Sequence, residues 1–86
     1  MNMNDNIYVL AKAGQSIRCW TESGTITAQL SGTDDWDIAK AARELIRHAD
    51  YLVFGEDYRW YHACTPKRVM NNRWKRYIKA IKDVYQ

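Results

Sequence analysis

Several features that would place this chain of 86 residues in a membrane or outside the cell are missing from it. No apolar run approaches the roughly 20 residues that a helix needs to cross a bilayer. The first residues, MNMNDN, lack the basic start, apolar middle and small-residue cleavage site of a signal peptide. These absences predict a cytoplasmic chain that does not interact with a membrane.

Glycine and cysteine are also scarce. The four glycines form neither a GxGxxG nor a GxxxxGK[ST] motif, so neither kind of phosphate-binding loop is present. The two cysteines, Cys19 and Cys64, do not supply the CxxC pair of a structural zinc site, and we expect no metal and no other cofactor. Cysteines in a cytoplasmic chain are usually reduced, although a Cys19–Cys64 disulfide remains open as an alternative.

Carboxylates are scarce in the last third of the chain. Residues 57–86 contain eight Lys and Arg against two Asp and Glu, a formal charge of +6, whereas residues 1–56 carry −3. The net charge of +3 therefore hides a polarised distribution. A concentrated positive field favours acidic partners.

Length and composition predict a single α+β domain, 1–86, with residues 1–5 as a flexible N-terminal tail. Alternating apolar and polar residues predict three strands, which form an antiparallel meander: Ile7–Ala11, Ser16–Thr21 and Thr25–Leu30. Because the first has apolar residues on both faces, it is predicted to be a central strand or to be covered on both sides.

A helix is predicted after the meander. Thr33, Asp34 or Asp35 caps its N-terminus, where acidic residues suit the positive end of the helix dipole. The apolar face, rich in alanine, allows close packing against a sheet, and the helix is predicted to end near Ala49. Lys40, Arg43, Glu44 and Arg47 lie on its solvated side.

The rest of the chain is predicted to form a hairpin and a second helix. Tyr51–Phe54 and Tyr58–Ala63 are β-prone and flank a turn that contains glycine. Thr65 as N-cap and Pro66 at the first helical position then begin the last helix. The predicted order is β-β-β-α-β-β-α, an antiparallel or mixed sheet with two helices packed on one face.

The last helix is predicted to be amphipathic, with one apolar and one basic face. Its apolar residues recur at steps of three and four: Met70, Trp74, Tyr77, Ile78, Ile81, Val84 and Tyr85. Nearly opposite lies the basic stripe, which we define as Arg68, Lys75, Lys79 and Lys82, with Asn72 and Arg76 beside it. Only Asp83 interrupts its single sign. The alternative is an ordinary solvated helix face.

Aromatic side chains are the second candidate for a binding surface. The predicted hairpin places Arg59 and Trp60 on opposite faces of one strand, so at most one of the two faces remains open to a partner. Trp20, beside Arg18 on the polar face of its strand, is either exposed or covered by a helix. Exposed Trp, Tyr and Arg are common anchors at binding surfaces.

A catalytic function receives little support. Cys64 precedes a helix N-terminus in a basic neighbourhood, which can activate a thiol, and His62 is its only nearby base. No third catalytic group can be assigned. A small buried thiol and a packed histidine are the much stronger interpretation of these residues, so no enzyme is predicted.

The favoured hypothesis is a small non-catalytic binding protein. It would occupy an acidic surface of a partner protein or nucleoprotein complex and act as an inhibitor or regulator. The predicted contact residues are Arg68, Asn72, Lys75, Arg76, Lys79, Lys82, Trp20, Arg59 and Trp60.

The alternative is direct binding of nucleic acid, with the last helix gripping the phosphate backbone. No helix-turn-helix, zinc-finger, RNP or KH signature supports it. A homodimer through an uncovered strand edge stays open.

Overall fold

The computed structural model of the protein describes residues 7–13 and 15–85, so the predicted flexible tail, 1–5, lies outside the described residues. The elements are β1 (Ile7–Ala13), β2 (Ser16–Thr21), β3 (Gly24–Gln29), α1 (Asp35–Phe54), α2 (Tyr58–Cys64) and α3 (Lys67–Tyr85). A short 3-10 turn, Gly55–Asp57, joins α1 to α2. The fold is α+β, as the sequence predicts.

The three strands form an antiparallel meander in the order β1-β2-β3, which confirms that part of the prediction. In the described sheet β2 is the central strand, so of the two alternatives for the first strand the central position was wrong. Alternation along β2 buries Ile17 and Cys19 while Arg18 and Trp20 remain exposed. One face of the sheet therefore meets the core and the other faces solvent.

Helices α1 and α3 cover the core face of the sheet. Asp34 is the N-cap of α1, and its carboxylate accepts a hydrogen bond from the Asp37 backbone N–H at 2.8 Å. Ala41, Ala42 and Ala49 are fully buried, as the predicted apolar face of this helix requires. The core combines residues of both layers: Ile17, Cys19, Ile26, Ala28, Leu30, Ile38, Ala41, Ala42, Leu45, Ile46, Ala49, Tyr77 and Ile81.

The predicted hairpin at 51–63 is wrong. Tyr51–Phe54 continues α1, Gly55 ends that helix with φ +60, and Tyr58–Cys64 forms α2. Aromatic contacts here follow the spacing of a helix rather than that of a strand. Tyr58 and His62 are separated by four positions in the sequence, and their ring centroids lie 5.4 Å from each other. Tertiary contacts thus outweigh the β-propensity of the aromatic and β-branched side chains.

The last helix begins close to its predicted start. Thr65 Oγ1 donates to the Tyr61 carbonyl at 2.6 Å, so Thr65 finishes α2 rather than capping α3. The Pro66 carbonyl accepts from the Met70 N–H at 3.1 Å, which makes Pro66 the residue that precedes the first turn of α3. The predicted cap is therefore displaced by one residue.

Candidate binding site

The basic stripe lies on the outer face of α3, but half of it is neutralised. Lys79 Nζ lies 3.0 Å from Asp83 Oδ2, and Lys82 Nζ lies 3.2 Å from Asp35 Oδ1 at the start of α1. Within the described part of the chain no ion pair involves Arg68 or Lys75, which are both exposed. The stripe is thus less concentrated than the sequence of α3 alone indicates.

The other predicted contact residues do not form one surface with the basic stripe. Asn72 and Arg76 are exposed on α3. Trp20 is 36% exposed on the solvent face of the sheet, with Arg18 Cζ 5.9 Å from its ring centroid, so it faces away from the helices. Arg59 and Trp60 lie on α2, where Trp60 is 73% exposed. The nine residues are therefore distributed over three regions.

A second row of cations lies on α1 and faces a groove between α1 and α3. Lys40, Arg43 and Arg47 follow each other at steps of three and four residues, a rise of about 4.5 and 6 Å along the helix. All three are exposed. The α1 cations, as we name this row, form no ion pair with any residue of the described ranges 7–13 and 15–85.

The groove consists of two open cavities that share two lining residues. One, of about 290 Å³, is lined by Arg43, Ile46, Arg47, His62, Met70, Asn71 and Trp74. The other, of about 440 Å³, is lined by Trp36, Ala39, Lys40, Arg43 and Trp74. None of these described lining residues is Asp or Glu. The groove therefore combines apolar side chains with three cations and no carboxylate among its described lining residues.

Arg43 and Trp74 form the partition between the cavities. The Arg43 Cζ atom lies 4.6 Å from the Trp74 ring centroid, a cation–π contact, and Trp74 Nε1–H donates to the Ala39 carbonyl at 3.2 Å. The Trp74 indole is thus fixed by a hydrogen bond from its N–H, and the Arg43 guanidinium contacts its ring. This contact places the guanidinium against the ring and leaves N–H groups available to bind a carboxylate or phosphate.

Asp50 joins all three helices beneath the end of the groove. Arg73 donates from Nη2 to Asp50 Oδ1 at 2.8 Å and from Nη1 to Asp50 Oδ2 at 2.9 Å. His62 Nε2–H donates to the same carboxylate from α2. Asp50 and Arg73 are almost completely buried, so their charges cancel inside the protein. Arg73 thereby keeps this carboxylate from reducing the positive field of the groove.

The same arrangement separates His62 from Cys64. His62 is oriented by the buried Asp50, whereas Cys64 is exposed, and the described residues show no hydrogen bond between the two. Cys19 and Cys64 are both free thiols, one in the core and one at the surface. The structure therefore does not assemble the thiol–imidazole pair that a cysteine nucleophile needs.

The two thiols should differ in reactivity. Burial raises the pKa of Cys19 from 9.0 to about 11, which disfavours its thiolate at neutral pH. We expect dithionitrobenzoate to modify one thiol per native chain at about pH 8, at Cys64, and the second only in denaturant. A Cys64→Ser variant should show no rapid reaction. Rapid modification of two thiols in the native protein would contradict this placement.

An apolar surface at the end of α1 is a further feature that the sequence analysis missed. Tyr51, Leu52, Val53 and Phe54 are each between 37% and 50% exposed. The Phe54 ring stacks on that of Tyr61 with centroids 4.5 Å apart. The segment was predicted to be one strand of a hairpin. As a helix end it presents four successive apolar side chains to solvent.

The groove was missed for a different reason. The helical spacing of Lys40, Arg43 and Arg47 was visible in the sequence, and it was interpreted as a solvated face. What the sequence did not reveal was the partner across the groove, since Trp74 was assigned to the apolar face of α3. The available signal for the groove was Trp36, which lies four residues before Lys40 on the same face of α1. Its side chain is 69% exposed.

No helix in the described ranges is long and apolar enough to cross a membrane. Residues 7–13 and 15–85 also contain no group of three or more His, Cys, Asp and Glu side chains placed to hold a metal ion. No protein-family model matches the chain, and comparisons with curated proteins and with solved structures return no match either. A function must therefore be inferred from the chemistry of the protein's own residues.

Proposed function

We propose that this protein is a small non-catalytic binding protein that docks on an acidic surface of a partner protein or nucleoprotein complex. By occupying that surface it would inhibit or regulate the partner. One observation carries the proposal. Five cations without an ion pair in the described chain lie on α1 and α3, beside a groove with an apolar floor. They are Lys40, Arg43, Arg47, Arg68 and Lys75.

The energetics of exposed charge support a binding role over a role in stability. An exposed ion pair contributes roughly 0–1 kcal/mol to folding, so unpaired cations on a helix surface contribute less. Across an interface the same charges steer association and select acidic partners. Apolar side chains between them, such as Met70 and Trp74, supply area that becomes buried on docking.

Direct nucleic-acid binding is the second candidate, and the same cations favour it. Gripping four phosphates would give a slope of log affinity against log salt of roughly −3 to −4. An electrophoretic mobility shift with single- and double-stranded DNA and RNA at low salt tests this directly. Binding with that slope would favour the second candidate over the first.

Two steps test the first candidate. The protein is used to capture its partner from a lysate of the source organism, and the affinity of variants is then measured with the purified partner. We expect a protein partner that is retained after nuclease treatment and released by salt. Arg43→Glu/Lys75→Glu should weaken the purified complex at least tenfold. The matched control is Lys12→Glu/Arg18→Glu, which changes the net charge equally at two exposed positions on the sheet.

Two results would contradict the proposal. Equal loss of affinity in the two double variants would show that net charge alone, and not the α1 and α3 surface, determines binding. Retention of full affinity by Arg43→Glu/Lys75→Glu would place the interface elsewhere on the molecule. Far-UV circular dichroism of each variant confirms that the helices are intact.

A further inference from the structure

The groove between α1 and α3 is concave and combines apolar with cationic side chains, so it suits a protruding element of a partner better than a flat surface. Its two cavities lie on either side of the Arg43–Trp74 stack, and each is large enough for one or two side chains. Apolar groups line the floor, including Ile46 and Met70 in the smaller cavity and Ala39 in the larger. The α1 cations form the rim.

The spacing of the α1 cations matches that of another helix. Lys40, Arg43 and Arg47 recur at steps of three and four residues along α1. A second helix that lies along the groove repeats its own side chains with the same period, so acidic residues at steps of three and four would meet these cations in register. Apolar residues on the adjacent stripe of that helix would then point into the cavities.

The aromatic groups of the groove favour a protein segment over nucleic acid. Base stacking requires an open aromatic face. The Trp74 ring already contacts the Arg43 guanidinium, and its N–H is bonded to Ala39. Of the two indoles only Trp36, with Lys40 Nζ 5.1 Å from its centroid, is widely exposed, so a strand of bases would meet one stacking platform rather than a series. What the groove offers is a set of apolar contacts with cations above them, which suits aliphatic side chains flanked by carboxylates.

From these observations we infer that the groove binds an acidic amphipathic helix of the partner protein. Carboxylates of that helix pair with Lys40, Arg43 and Arg47, and two of its apolar side chains enter the two cavities. The inference rests on the proposed function and deepens it, since it specifies which part of an acidic partner is held and where.

A synthetic peptide tests the inference without knowledge of the partner. The probe is an acetylated helix of about five turns, roughly 18 residues, with a stripe of Glu beside a stripe of Leu. Its control replaces every Glu by Gln. Binding is followed by the tryptophan fluorescence of the protein at low salt. We expect saturable binding of the Glu peptide and at least tenfold weaker binding of the Gln peptide.

Paired variants locate the binding. Arg43→Gln/Arg47→Gln removes two rim cations and should weaken binding of the Glu peptide about tenfold. Lys12→Gln/Arg18→Gln removes two exposed cations from the sheet and should change it less than threefold. Because all four residues are exposed, both variants should remain folded, and thermal unfolding provides that check.

Three outcomes would overturn the inference. They are the absence of peptide binding at low salt, equal binding of the Gln peptide, and equal loss of binding in the two double variants. Binding of a thymidylate oligonucleotide that is reduced by Arg43→Gln/Arg47→Gln, with no binding of the peptide, would reassign the groove to nucleic acid. If the peptide fails but the captured partner still requires Arg43 and Lys75, the proposed function survives and only the helix assignment is lost.

Discussion

Asp50→Asn should destabilise the protein by about 3–5 kcal/mol, the largest loss that we expect from a single polar substitution. The substitution keeps the shape of the side chain but removes the charge that neutralises Arg73. Arg73 is 1% exposed and would remain cationic without a buried counter-charge. Because domains are stable by only about 5–15 kcal/mol, a large part of the stability would be lost. Urea denaturation measures the change in unfolding free energy.

A double variant separates the cost of an unpaired charge from a change in packing. Asp50→Leu/Arg73→Met replaces the buried pair by apolar side chains and should recover most of the lost stability. His62 loses its acceptor in this variant, but its side chain is 27% exposed and can bond to water. A loss below about 1 kcal/mol in Asp50→Asn, or no recovery in the double variant, would contradict the account of this pair.

Ile81→Ala should destabilise the protein by about 2–5 kcal/mol. The Ile81 side chain is fully buried in the core that α3 forms with the sheet and α1, so truncation leaves a cavity. Lys75→Ala, on the opposite face of the same helix, should change the unfolding free energy by less than about 0.5 kcal/mol. Both values come from urea or thermal unfolding of the two variants.

The contrast between these two variants tests the division of α3 into a core face and an outer face. Both replace a residue by alanine, so helix propensity changes little in either case. Similar losses in the two variants would show that the outer face of α3 also contributes to the fold. The cations there would then have a structural role, and the proposal of a binding surface would lose its basis.

The meander and the two long helices were predictable because their signals are local. Alternation along β2 and β3 identifies the buried residues, and Asp34 in an acidic first turn identifies the start of α1. The apolar stripe of α3 correctly places Tyr77 and Ile81 in the core. In each of these cases a period of two or 3.6 residues coincides with the face that the tertiary structure buries.

The 51–63 segment was not predictable in the same way. Its aromatic and β-branched residues favour a strand, and its glycine is typical of a hairpin turn. In the helical structure His62 bonds to Asp50, 12 residues earlier, and Asp50 in turn pairs with Arg73, 23 residues later. A carboxylate at residue 50 looks like the end of a helix until its buried partner is known.

The candidate site shows the same limit. The basic stripe could be identified from α3 alone, yet Asp35, which pairs with Lys82, lies on α1, 47 residues earlier. The α1 cations gain significance only because α3 places Trp74 beside Arg43. Sequence periodicity therefore identifies which face of a helix is cationic. It does not identify which two helix faces border one groove.

Amide chemical shifts of the isotope-labelled protein, with and without the captured partner, test the central claim most directly. We expect the largest changes along 40–47 of α1 and 71–75 of α3, with side-chain resonances of Arg43 and Arg47 also shifted. The sheet face around Trp20 should change little. Changes confined to that face, or to the apolar surface at Tyr51–Phe54, would show that the partner binds outside the groove.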